Sequence, residues 1–212
     1  MNPIIFCRIA DMKYYQGDLF DKPYQNSQYV KEHGTGCECY NFFPVAGLKD
    51  DVSKCFGYVM LNGRRGLYAQ LHVERMYGCK AMRYADSIDN VIVVFCSKAK
   101  NEDGMRVVGF YKNATAYRWV QYIRFEDGIQ DYSFIADADN CVLLPYEERH
   151  RNDKWKVPTS HKGGSLFGFG RSNIWYAKGS CDPDEEKAYV ERMIKNIESY
   201  DGPNWVWEDD NA

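Results

Sequence analysis

DNVIVVFCSKAKNEDGMRVVGFYKNATAYRW, residues 89–119, decides how the rest of the chain is read. Val91 to Cys96 is an unbroken apolar run, β-branched and too short for a typical helix, so it reads as a strand buried on both faces. The charged turn Lys98 to Gly104 reverses the chain, and Val107 to Tyr111 returns as a second strand. Gly109 at its centre marks a bend, or a place where another backbone or a ligand comes close. The two runs together read as the hairpin of a small β-barrel. Directly after them, Lys112 to Trp119 sets amide, hydroxyl, cationic and aromatic groups at what reads as a strand rim. A rim is where a rigid strand fixes polar groups and exposes them for binding.

Outward from this hairpin, Pro3 to Ile9 reads as an early buried strand, followed by a turn from Asp11 to Asp18 that crowds Lys13, Tyr14 and Tyr15 before Gly17. Leu19 to Pro44 lacks periodicity and is long for a structureless loop, with Tyr29 to His33 as a candidate turn of helix. Cys55 to Leu61 resumes a strand, and Asn62-Gly63 turns it before Arg64-Arg65. Gly66 to Glu74 alternates apolar and polar residues as a half-buried strand, with His72 on the polar side. Val120 to Phe125 and Tyr132 to Ala136 flank the turn Glu126-Asp127-Gly128, and Cys141 to Pro145 adds a short strand. Glu147 to Lys162 is a polar, locally basic loop that feeds a glycine and aromatic run from Gly163 to Gly170.

The last element is the clearest helix. Asp182 suits its cap, Pro183 its first position and Glu185 a capping box, while Tyr189, Val190, Met193, Ile194, Ile197 and Tyr200 form one apolar stripe that Gly202-Pro203 ends. The expected fold is therefore α+β, a twisted β-barrel with peripheral helices and a C-terminal amphipathic helix over 183–200. Residues 1–204 read as one domain and 205–212 as an acidic tail without structure.

Aromatic residues make up 16% of the chain, which favours strands and stacking surfaces. A net charge of −3 excludes a generic basic nucleic-acid coat and leaves room for a local basic patch. No apolar run approaches a membrane span and the N-terminus lacks a signal pattern, so the expected setting is cytoplasmic, with no membrane partner. Of the eight cysteines, only Cys37-x-Cys39 is closely spaced. It lacks the second half of a structural zinc site, and reduced core thiols are the expected state.

The chain carries no GxSxG, HExxH, P-loop or strand-to-helix GxGxxG pattern, so no catalytic residue, metal or cofactor is assigned. Binding of a nucleobase fits the residues best, because a base needs a plane to stack on and an amide or backbone group at its edge. The planes on offer are Tyr14, Tyr15, Tyr117, Trp119, Trp155 and Trp175, with Asn113, Ser172 and Asn173 for the edge. Lys13, Arg64, Arg65, Lys112, Arg118, Lys154, Lys156 and Arg171 are placed to meet phosphates. The alternative is a metal-dependent or acid-base nuclease or RNA hydrolase, worked by Lys13, Tyr15 or His161. A protein-interaction domain is the blandest reading.

Three features together resemble the PUA-like superfamily that includes EVE, YTH and ASCH domains: the strand and polar turn over Ile4 to Gly17, the apolar strand Val91 to Ser97, and the Val-Val-Gly-Phe-Tyr strand with its polar continuation. That resemblance implies a barrel with a pocket for a modified base beside its central hairpin. IIFCRIADMKYYQG, VVGFYKNATAYR and FGRSNIWYA are also similar to N-terminal domains that precede HNH-type nuclease modules in bacterial modification-dependent restriction proteins. It implies a module that reads a flipped, modified DNA base and lends specificity to a fused or associated nuclease in restriction or anti-phage defence. Unlike EVE domains, the chain lacks an early Trp-x-Gly-Val-Arg-Asn-Tyr-type stretch and is longer after Asp127.

Overall fold

Strands rich in β-branched residues bury both faces when other layers cover them, and the two most apolar runs of this chain do so side by side. In the computed structural model, β1 (Ile4–Arg8) lies parallel to β3 (Ser87–Ser97), with Ile4 opposite Ile92 and Arg8 opposite Cys96. The structure describes residues 2–17, 21, 36–46, 51–61, 69–98, 104–125, 128–151, 153–160, 165–178 and 183–207. β4 (Met105–Arg124) returns antiparallel to β3, pairing Val94 with Phe110 and Ser97 with Arg106. β2 (Lys54–Gly57), β5 (Ile129–Asp137), β6 (Cys141–Leu143), β7 (Lys156–Val157) and β8 (Ile174–Trp175) complete one eight-stranded mixed sheet. Two α-helices are described, α1 (Tyr146–Arg151) and α2 (Pro183–Glu198), so the fold is α+β.

β4 is the spine. Its first half pairs with β6 and β7 and its second half with β5, while β3 runs along the other edge. The register shifts in both pairings, of the kind β-bulges make, let so long a strand bend between its partners. The side chains sort by alternation. Ile5, Cys7, Val91, Val93, Phe95, Tyr111 and Phe134 turn into an inner core. Ile4, Phe6, Ile92, Val94, Phe110, Trp155 and Trp175 turn outward beneath α2. Val190, Met193 and Ile197 of α2 close this outer core, and burying each contributes roughly 1.5–3 kcal/mol. Gly109 meets the close-approach reading: a Cβ there would lie 2.4 Å from the Phe42 ring, so only glycine lets that ring reach the sheet.

Strand pairing does not close the expected barrel. The path runs β2-β5-β4-β3-β1-β8 and leaves β2 and β8 at opposite ends. Side chains bridge the gap instead. Glu38 accepts from the Ala10 amide at 2.8 Å and from the Met60 amide, joining the chain after β1 to the chain after β2. The Asn41 side chain pairs with both backbone groups of Tyr58, and the Asn173 amide donates to Met60 O at 3.1 Å. Glu38 keeps some exposed surface, but burial of its carboxyl raises its pKa, against the pull of the two amides.

Five further expectations change. Lys112 to Trp119 is not a rim but the middle of β4, where Ala114, Ala116 and Arg118 face in. Residues 62–68 lie outside the described residues; of the described part of the expected Gly66 to Glu74 strand, only Gln70 forms a bridge, with Trp119, and Val73–Arg75 is a 3-10 turn. The polar stretch after Tyr146 contains α1 and β7 and buries Arg149 and Trp155. The tail is packed as far as Trp207: the Trp205 amide donates to Leu143 O and Val206 sits in the inner core. α2 ends at Glu198, with Tyr200 packed against the outer core, and its expected cap Asp182 lies outside the described residues. No described helix is long and apolar enough to cross a membrane.

Candidate functional site

Arg118 sits in β4 between two runs of β4–β5 pairing, where the register shifts and the strand is free to take other partners. Its amide donates to Asp86 O and its carbonyl accepts from Leu71, both at 2.7 Å. The buried guanidinium commits four of its five N–H bonds to the chain itself. Nε donates to Ala85 O at 2.8 Å, one terminal nitrogen donates to Met82 O and Arg83 O, and the other pairs with Glu74 Oε2 at 2.8 Å. Arg118 thus pins the segment before β3 and the 73–75 turn onto β4.

Burial works to raise the Glu74 carboxyl, but its own amide, Arg118 and His72 outweigh it and hold the group below the usual carboxylate range. Glu74 Oε1 meets His72 Nδ1 at 3.1 Å. A carboxylate can only accept, so Nδ1 carries a proton, and in the neutral ring Nε2 is then an acceptor. The His72 amide donates to the Tyr176 hydroxyl at 3.0 Å, tying this corner to β8, and burial pushes that hydroxyl up to about 12.

The result is an open recess of about 410 Å³ floored by Arg118, Glu74 and His72. Pockets of ~300–1,000 Å³ are the usual size for small ligands. Its border carries Gln70, Asp86 and the Arg83-Tyr84 pair, with the guanidinium 5.7 Å from the ring centroid. Tyr84 is 88% exposed, the freest large ring described. Trp119 flanks the recess through its backbone bridge to Gln70 and is itself half-exposed. A second recess of about 360 Å³ lies between Tyr40, Phe43, Phe125 and Ile129 and is mostly apolar.

The rings chosen from sequence go to different places. Tyr15 is fully buried, its hydroxyl donating to Ala10 O and accepting from the Met12 amide, and burial raises it well above its usual range. Trp155 is 0% and Trp175 8% exposed. One packs on Phe110 with its indole donating to Glu148, the other stacks on Phe6 at 4.4 Å with its indole donating to Glu186. Tyr117 leans edge-on against Tyr132. Tyr14 makes a surface platform with Trp205, rings 5.3 Å apart, under the Lys13 ammonium.

The polar set is equally dispersed. Asn113 is exposed with φ +52 and reaches only Asn140, at 3.5 Å. Ser172 accepts from the Ile174 amide, and Asn173 helps close the sheet. Lys154 pairs with Glu148 at 3.0 Å, while Lys112 is half-buried and Lys156 and Arg171 are exposed. The amides of Tyr14 and Tyr15 point at a carboxylate already, that of Asp21. Arg64, Arg65 and His161 lie outside the described residues. Of the sequence-predicted set, the structure brings only Arg118 to the recess, as its floor; Trp119 touches it only through the backbone bridge to Gln70. Gln70, His72, Glu74, Arg83, Tyr84 and Asp86 were not among the chosen residues. Arg83-Tyr84-Ala85-Asp86, a cation, ring and carboxylate just ahead of a core strand, was the available signal.

Among the described residues no three His, Cys, Asp or Glu side chains gather as metal ligands. No family model matches the chain, and neither a curated protein nor a solved structure is found to be similar to it.

Proposed function

We propose that this chain is a nucleobase-binding module, and that the base lies against Tyr84 over the Arg118 recess. The observation that carries the reading is the pairing of a free ring with a rigid polar floor. Tyr84 offers an unblocked face, Arg83 a cation beside it, and Gln70, His72 and Asp86 offer edge groups. Base–aromatic stacking is worth ~1–3 kcal/mol per base, enough to hold an unpaired base at such a ring. A base in duplex DNA would have to leave the stack to reach it.

The modified-base function implied by the resemblance is proposed on the same recess, with the chain lending specificity to a fused or associated nuclease. A PUA-like relationship is part of the same proposal; what supports it is the set of side-chain bridges from Glu38, Asn41 and Asn173 across the open edge of the sheet. The acid-base nuclease alternative finds less support: Tyr15 has its hydroxyl tied on both sides, and Lys13 Nζ donates to the Tyr14 hydroxyl.

Fluorescence anisotropy with single-stranded oligonucleotides at fixed salt tests the reading, since phosphate contacts otherwise dominate. Tyr84→Ala is expected to weaken binding by at least about fivefold, the low end of one lost stack. Unchanged binding would remove the recess from consideration. Duplexes differing in a single base modification then test the modification claim, which equal affinities would overturn.

A further inference from the structure

Resting on the base-binding reading, we infer that the recess selects a heterocycle bearing an exocyclic amine, of the cytosine or adenine class, over the keto bases that lack one. The inference comes from which polar groups the floor has left to offer. Four of the five Arg118 N–H bonds go to Ala85, Met82, Arg83 and Glu74, so the strongest donor in the recess is almost fully engaged. Glu74 divides its two oxygens between His72 and Arg118. What remains toward the opening is the Nε2 acceptor of His72 and the acceptor-only carboxylate of Asp86, whose side chain has no hydrogen bond among the described residues. Gln70 can turn its amide either way and does not discriminate.

Two acceptors facing a base edge are matched by an amine carrying two N–H bonds. A keto oxygen in the same place would set lone pair against lone pair. Such a mismatch is costly because a desolvated acceptor loses its water without gaining a donor. The tautomer is not free to adapt, since reversing the His72 ring proton would set Nδ1 against the Glu74 carboxylate. Arg83, beside the Tyr84 ring, is the remaining cation and is placed for the sugar-phosphate side of the ligand.

Oligo-deoxycytidine and oligo-deoxyuridine of equal length differ at this edge and nowhere in the backbone, which makes them the probe. Anisotropy titrations of the full chain at one salt concentration are expected to give cytosine at least about fivefold tighter binding, the low end for a hydrogen-bonded base edge. Adenine against hypoxanthine oligomers repeats the contrast in purines. His72→Ala should flatten the ratio, and Asp86→Asn, which keeps the shape and adds a donor, should shift it toward deoxyuridine. Equal affinity of the unaltered chain for cytosine and uracil, with binding still dependent on Tyr84, would overturn this inference and leave the base-binding reading standing. Failure to bind either oligomer would overturn both.

Discussion

Two aromatic regions of the molecule use the same residue types to opposite ends. Beneath α2, Trp155 and Trp175 stack on Phe110 and Phe6, and each indole N–H is satisfied by a glutamate, Glu148 or Glu186. At the Arg118 recess, Tyr84 stands in solvent with only a guanidinium beside it. The difference teaches that ring content alone does not locate a site. What separates the regions is whether the polar handle and both ring faces already have protein partners. The tryptophans are complete, and Tyr84 is not.

Substitutions should split these regions cleanly. Trp155→Ala is expected to cost about 3–5 kcal/mol in chemical denaturation, as a fully buried large ring leaves a cavity and Glu148 loses its indole donor. Affinity of the protein that remains folded should not change; a specific loss of oligonucleotide binding would move the site to the outer core. Arg118→Met should cost about 3 kcal/mol by the same assay, because Glu74 and three carbonyls lose a buried donor, and it should also dissolve the recess. Tyr84→Ala marks the other extreme. Stability should stay within about 0.5 kcal/mol of the unaltered chain, while stacking affinity falls.

A subtler effect belongs to the bridge that closes the sheet. Burial raises the folded-state pKa of Glu38, so the folded chain holds that proton more tightly than the unfolded one and the group's contribution declines as pH rises through the folded value. Glu38→Gln cannot titrate. The melting temperature of the variant relative to the unaltered chain should therefore improve as pH rises from the ordinary Glu range, about 4.3, through the raised folded-state value. A gap that is constant with pH would mean that the carboxyl is not desolvated in the folded chain.

How much of this was legible depends on periodicity. β3, the return strand and α2 could be read because their apolar patterns are long and of one period. Lys112 to Trp119 was misread because Ala114, Ala116 and Arg118 alternate with polar residues in a pattern that mimics an exposed rim. Only the four hydrogen bonds of the guanidinium reveal that Arg118 faces in. The recess was legible only in the short Arg83-Tyr84-Ala85-Asp86 run, since residues 69–86 fold as turns held by side chains rather than by ladders. Trp155 looked like a binding residue because Lys154 and Lys156 flank it, and Trp175 because it follows the polar run Arg171-Ser172-Asn173; their burial arises from packing with α2 and, for Trp175, with Phe6 of β1.

The most direct measurement is photocrosslinking of the full chain to an oligonucleotide carrying one 5-iodocytosine, which keeps the exocyclic amine, with the modified residue located by mass spectrometry. Adduct at Tyr84 or its neighbours Arg83 and Asp86 is the expected result. Adduct concentrated at Tyr14 and Trp205, or no specific adduct at all, would contradict the placement of the base over Arg118.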